Sequence, residues 1–166
     1  MDSQMKLSDH FKIYEMVRSS TATRLEIDNT PAHAEIERAM LLGEKCLEPI
    51  RDKFGPFGPN SWFRGEVLEK VITKKSYTRW AINQKWDPSD DGVWAKYFSR
   101  KSHPKGEAAD IEIIGVDNEE LFQWIQDNLE FDQCIREFGK PNDPTSGWVH
   151  ISYKEKDNRQ STFRIP

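Results

Sequence analysis

The chain has 166 residues, 36% of them hydrophobic and 31% charged, which is enough for one buried core and sets the expectation of a single domain over residues 1–166. No apolar run approaches the roughly 20 residues that a bilayer span needs, and the start, Met1-Asp2-Ser3-Gln4-Met5-Lys6, lacks the basic-then-apolar pattern of a secretory signal; a soluble protein made in the cytoplasm is expected. The net charge of −4, with acids and bases interspersed, omits the basic footprint of a nucleic-acid-binding protein, and Cys46 and Cys134, each in an apolar segment, read as buried free thiols.

Residues 9–17 read as an extended stretch leading into a helical turn, ended by the polar run Ser19-Ser20-Thr21, so residues 1–30 are expected to form a packed N-terminal arm. Thr30 as a hydroxyl cap and Pro31 at the first helical position predict a helix start. Ile36, Met40, Gly43, Leu47 and Ile50 then recur at three- and four-residue steps, giving one apolar stripe to about residue 53. Gly55-Pro56-Phe57-Gly58-Pro59 stops it. Ser61-Trp62-Phe63-Arg64 reads as a strand or strand end, and residues 66–72 as a brief helix. Residues 73–101 carry Trp80, Trp86 and Trp94 without clean periodicity and read as a partly helical elaboration at the rim of a site.

From residue 108 to 114 the pattern alternates, with Ile111 and Ile113 on one face of a strand and Asp110 and Glu112 on the other. Asp117-Asn118-Glu119-Glu120 reads as a capping box ahead of the stripe Leu121, Phe122, Ile125 and Leu129. Residues 132–138 read as a second strand and 148–153 as a third, with Val149 and Ile151 inward and His150 and Ser152 opposite; residues 163–165 add an edge strand. Parity thus places Asp110 and His150 together on a solvent-accessible face. The expected fold class is α+β, a small, mostly antiparallel sheet with helices packed on one face and a metal cleft on the other.

Two segments carry chemistry: Ser102-His103-Pro104-Lys105-Gly106-Glu107-Ala108-Ala109-Asp110 and Trp148-Val149-His150-Ile151-Ser152. His103, Asp110 and His150 make a three-ligand zinc set, and two imidazoles with one carboxylate leave a fourth tetrahedral position for water, the mark of a catalytic site. One zinc ion is the expected cofactor. Gly106, Ala108 and Ala109 let the backbone pass close to the ion. Ser61 and Ser102 are candidates for hydrogen bonds to ligands or substrate, and Trp148 for the cleft wall or for packing. His10 and His33 read as surface residues, and Glu107 and Glu112 as solvated charges.

The spacing from His103 to Asp110, with Trp-Val-His-Ile-Ser around a histidine 40 positions after the aspartate, resembles the zinc D-alanyl-D-alanine carboxypeptidase family, which includes vancomycin-resistance D,D-dipeptidases and phage L-alanyl-D-glutamate endolysins. Leu25-Glu26-Ile27-Asp28-Asn29-Thr30-Pro31, Leu47-Glu48-Pro49-Ile50-Arg51, Ser61-Trp62-Phe63-Arg64 and Ile135-Arg136-Glu137-Phe138-Gly139 look like its phage-associated branch, in the same order, over residues 9–155 apart from 73–101. The resemblance implies a hedgehog/DD-peptidase-like fold and a zinc metallopeptidase that hydrolyses an amide bond in peptidoglycan stem peptides. It would be a phage endolysin or virion-associated lysin, a monomer made in the host cytoplasm and acting on the cell wall. Hedgehog-type signalling domains share a similar metal site, so a non-catalytic zinc-bound structural or cell-wall-binding module of a phage particle is the alternative.

The same resemblance implies Glu137, in its Ile-x-Glu-Phe motif, as the general base. The dipeptidase branch has a glutamate three positions before the last histidine; this chain has Gly147 there and inserts Lys140-Pro141-Asn142-Asp143-Pro144-Thr145-Ser146, which makes Asp143 the second candidate. Parity groups Glu137 with Ile135, a residue that could face inward. Arg64 matches the arginine of the family's Ser-Gly-Tyr-Arg motif, with Trp62 and Phe63 replacing Gly-Tyr. It is implied to grip a substrate carboxylate or carbonyl bidentately; a structural ion pair is the other reading.

Overall fold

A computed structural model describes residues 2–166 of the chain. Helices α1 (Ile13–Val17) and α2 (Ser20–Arg24) form the N-terminal arm, and the polar run read as the end of a helical turn is itself helical, capped by Ser19, whose hydroxyl accepts from Ala22 N–H at 3.2 Å. Next, α3 (His33–Leu42), a π-helical turn (Gly43–Leu47) and α4 (Glu48–Phe54) run without a break. The start lies beyond Pro31 because the Thr30 hydroxyl donates to Asp28 at 2.6 Å, while Glu35 reaches back to Ala32 N–H at 2.8 Å and closes the first turn. A π turn inserts an extra residue and rotates the apolar stripe. Leu47 and Ile50 remain buried, as are Ile36, Leu42 and Cys46, whereas Met40, before the turn, is exposed.

Helix α5 (Glu66–Ile72) matches the expected span, and residues 73–101 contain two further helices, α6 (Lys74–Asn83) and α7 (Asp91–Phe98). Their facing rings, Tyr77, Trp94 and Tyr97 with Trp80, form a small cluster separate from the main core, which is why no single-helix period was visible. Helix α8 (Asn118–Asn128) buries Leu121, Phe122 and Ile125, and Asp117 caps it by accepting from Glu119 N–H at 2.7 Å. Among the described residues no helix is long and apolar enough to cross a membrane.

Four strands, β1 (Ala108–Ile111), β2 (Gln133–Glu137), β3 (Trp148–Ser152) and β4 (Ser161–Ile165), form one open sheet in the order β1-β3-β2-β4. β3 is antiparallel to both β1 and β2, and β4 is parallel to β2. Asp110 pairs with His150, His150 with Ile135 and Ile135 with Phe163, so one row crosses the sheet. On the opposite face Ala109, Ile111, Cys134, Val149 and Ile151 enter the main core, with residues of α3, α4 and α8. Ser61-Trp62-Phe63-Arg64 is not a strand; Ser61 makes a single bridge to Asp110. Cys46 and Cys134 are buried and unbonded.

This architecture corrects the expected fold class and the family resemblance. Helix accounts for 43% of the chain and strand for 15%; the domain is helix-dominated with a small open sheet, not the mainly β-sheet hedgehog/DD-peptidase architecture. The strands are only four or five residues long, while residues 20–24 and 74–98, which showed no helical period, add helix. Helices are not confined to one face either. Glu69 of α5 lies 3.8 Å from Arg64, which is ion-paired with Asp110 on the ligand-bearing side.

Candidate metal centre

His103 opens a one-turn 3-10 helix (His103–Lys105) that ends on Gly106 at φ 78°. A Cβ at Gly106 would sit 2.3 Å from the Glu35 carbonyl oxygen, so only glycine lets this turn dock on α3. The turn aims the imidazole at β1. Its Nδ1 lies 2.6 Å from the Trp62 carbonyl oxygen, an acceptor only, so Nδ1 carries the proton and Nε2 presents a bare lone pair. Burial pushes the His103 pKa down, against the opposing pull of Asp110.

Asp110 and His150 face each other across β1 and β3. Asp110 Oδ1 lies 3.2 Å from His103 Nε2 and 3.0 Å from His150 Nδ1. Burial opposes ionisation of Asp110, yet the facing His103 and His150 outweigh it and hold the carboxyl well below the usual range. All three residues are buried, each only 6% exposed, which corrects the expectation of a solvent-accessible ligand face. The three donor atoms lie within 4.8 Å of one another. Tetrahedral zinc, with bonds of about 2.0–2.1 Å, holds its ligand atoms about 3.3 Å apart. The two nitrogens, the carboxylate and their spacing therefore fit a divalent ion, and the cluster is a potential metal-binding site.

Arg64 is gathered into the same place. Its Nη2 donates to Asp110 Oδ2, its Nε donates to Ser61 Oγ at 2.8 Å, and its Nη1 lies 3.8 Å from Glu69 Oε2. The ion pair, the second of the two sequence readings, is present. Glu69 gave no signal in the sequence. Its side chain is 1% exposed and Oε2 has no hydrogen-bond partner, a relationship that arises only when α5 folds over Arg64.

Glu137 ends β2 opposite Trp148, on the face shared by Ile135 and His150. That face is the ligand side, so the inward option is removed. Glu137 is half-buried, and burial raises its pKa, while the charges of His150, Asp110, Arg64 and Lys101 all reach it. Gly147 adopts φ 64°, and a Cβ there would lie 1.9 Å from the Glu137 carbonyl oxygen; a glutamate cannot occupy this position in this backbone. Asn118 anchors the loop, donating to the carbonyls of Thr145 and Gly147 at 3.1 and 3.2 Å. Asp143 is exposed and accepts from Thr145 Oγ1 at 3.0 Å, holding the loop's own turn.

Trp148 packs against Phe138, ring centres 5.1 Å apart, and its buried Nε1 has no partner. Ser61 Oγ serves Arg64, whereas the Ser102 hydroxyl makes no hydrogen bond among the described residues. His10 pairs with Glu48 at 2.7 Å and His33 with Glu37 at 3.3 Å, both on the surface. Glu112 is exposed, but Glu107 is not simply solvated: it is half-buried, its pKa raised by that burial, and lies 3.7 Å from Arg38. No family model matches the chain, and no curated protein matches it significantly.

Proposed function

We propose that the chain is a zinc-dependent hydrolase of amide bonds whose substrates are the stem peptides of bacterial peptidoglycan, in a phage setting a lysin. The observation that carries this reading is the buried convergence of His103 Nε2, Asp110 Oδ1 and His150 Nδ1 with a carboxylate, Glu137, on the same sheet face. Those three atoms would hold the ion. When bound, it supplies a Lewis acid that polarises a carbonyl and makes water more acidic.

The chain's own residues supply the rest. Glu137, its pKa raised by burial, takes a proton from water at its carboxylate and returns it to the leaving nitrogen, the task for which an elevated carboxyl pKa is suited. Arg64, bound to Asp110 and Ser61, holds the ligand carboxylate in place beside the ion site. The peptidoglycan assignment is supported by the sequence pattern of the two ligand segments.

Incubation of the zinc-loaded protein with purified peptidoglycan, with release of new amino groups as the readout, tests the reading. Wild type should release them, Glu137→Gln should retain zinc without turnover, and His103→Ala should lose both. Zinc-loaded wild type that releases no amino groups would favour the non-catalytic, wall-binding module instead.

A further inference from the structure

We infer that the groove between the α6–α7 pair and the end of the sheet is a binding site for the carboxylate-bearing part of a peptide. Only the identity of that peptide, the substrate's stem, rests on the hydrolase reading above. The groove encloses about 470 Å³, within the range of ligand sites. One wall is the end of α7 and the segment that follows it; the other includes Asp132, Gln133, Lys154 and Arg159.

Its charge opposes that of the molecule. Arg100, Lys101, Lys105, Lys154 and Arg159 line it against two acids, Glu107 and Asp132, in a chain of net charge −4. Arg159 and Lys154 are already engaged by Asp132, at 2.8 and 3.0 Å. The other three are held without being neutralised. Arg100 lies over Trp80 at 5.8 Å, Lys101 over Tyr97 at 4.1 Å, and Lys105 Nζ donates to the Ser99 carbonyl at 2.8 Å. Aromatic faces and a carbonyl fix the position of a cation but leave its net charge intact; none of the three forms an ion pair among the described residues, although the charge of Lys105 reaches Glu107 in the same lining.

The groove shares chain segments with the metal centre. Ser102 in its wall precedes His103, Gln133 is two residues from Ile135 on the ligand-bearing face, and the charge of Lys101 is felt at Glu137. The mixed lining of rings, the Gln133 amide and serine groups suits a peptide with several carboxylates. A nucleic-acid surface would instead carry a continuous basic stripe.

The experiment is a titration of the full-length, metal-stripped protein, followed by tryptophan fluorescence and NMR. The probes are the tripeptide L-alanyl-γ-D-glutamyl-L-lysine, the same peptide with its carboxylates amidated, and a single-stranded oligonucleotide. The acidic tripeptide should bind at least tenfold more tightly than the amidated one, and weaken as salt is raised. The Arg100→Glu/Lys101→Glu variant and, separately, the milder Lys105→Gln should each reduce its affinity, the first by tenfold or more. Equal binding of the acidic and amidated peptides, wild-type affinity in the double variant, or preference for the oligonucleotide would overturn the inference. No turnover is involved, so acid-selective binding by a protein that hydrolyses nothing would preserve this site and remove the hydrolase reading alone.

Discussion

Arg64 holds the outer carboxylate oxygen of Asp110, Oδ2, while Oδ1 of the same group faces both imidazoles. The guanidinium thereby fixes the rotation of the carboxylate and leaves one oxygen for an ion. Groups that orient a ligand from behind are typically worth about 10–100-fold in metal affinity. Arg64→Ala should weaken zinc binding by about that factor in a chelator competition, and Arg64→Lys, which keeps charge but loses the fork, should fall between. Unchanged affinity in Arg64→Ala would show that the pair has no orienting role.

Gly147 has a backbone reason to be glycine, and the consequence is measurable. Placing Ala there combines a positive φ with a Cβ 1.9 Å from the Glu137 carbonyl oxygen. Left-handed backbone at a non-glycine residue costs on the order of 1–3 kcal/mol before any clash is counted. Gly147→Ala should lower stability by at least about 2 kcal/mol in urea unfolding. A loss under about 0.5 kcal/mol, the neutral range of surface substitutions, would mean that the β2–β3 loop adapts freely.

Legibility followed how locally each feature is encoded. Strands β1 and β3 were readable because Asp110 and His150 alternate with apolar neighbours that enter the core, and a period of two needs no knowledge of the partner strand. The helix start at Thr30-Pro31 misled because the Thr30 hydroxyl had a nearer acceptor in Asp28. The α6–α7 hairpin was opaque because its rings pack on one another across two helices rather than along one stripe. The fold class failed for the same reason: helix hidden in polar and aromatic stretches outweighed the strands that pattern could show. Burial of the ligand set was equally hidden, since parity gives a face but not what covers it.

Acid sensitivity should trace in part to Asp132, whose side chain is 2% exposed and is held by Arg159 and Lys154. Burial opposes its ionisation, but the two cations outweigh it, and the folded-state pKa is lowered. The unfolded chain then binds this proton first, near the usual aspartate value of about 3.9. Stability from the group is full above that pH and falls as pH drops towards the folded-state value. Asp132→Asn should cost about 1.5–3 kcal/mol at neutral pH, the range for hydrogen bonds to charged groups, and should flatten the loss of stability below about pH 4. A variant whose urea midpoint keeps the wild-type dependence on pH would remove Asp132 from the acid response.

Glu69 is the least expected carboxylate in the molecule, on the buried face of α5 with one oxygen unpartnered and Arg64 Nη1 3.8 Å away. A buried charge is tolerated when an opposite charge compensates it, and removing one partner leaves the other exposed to the full desolvation cost. Glu69 and Arg64 should therefore be energetically coupled. A double-mutant cycle with Glu69→Gln and Arg64→Met, read by chemical unfolding, should give an interaction energy of about 0.5–3 kcal/mol, the range for contacting residues. Glu69→Gln alone should also weaken zinc binding, because loosening Arg64 at Nη1 loosens its grip on Asp110 at Nη2. Strict additivity in the cycle would show that Glu69 is held by burial alone and that the chain from α5 through Arg64 to the metal ligand carries no energy.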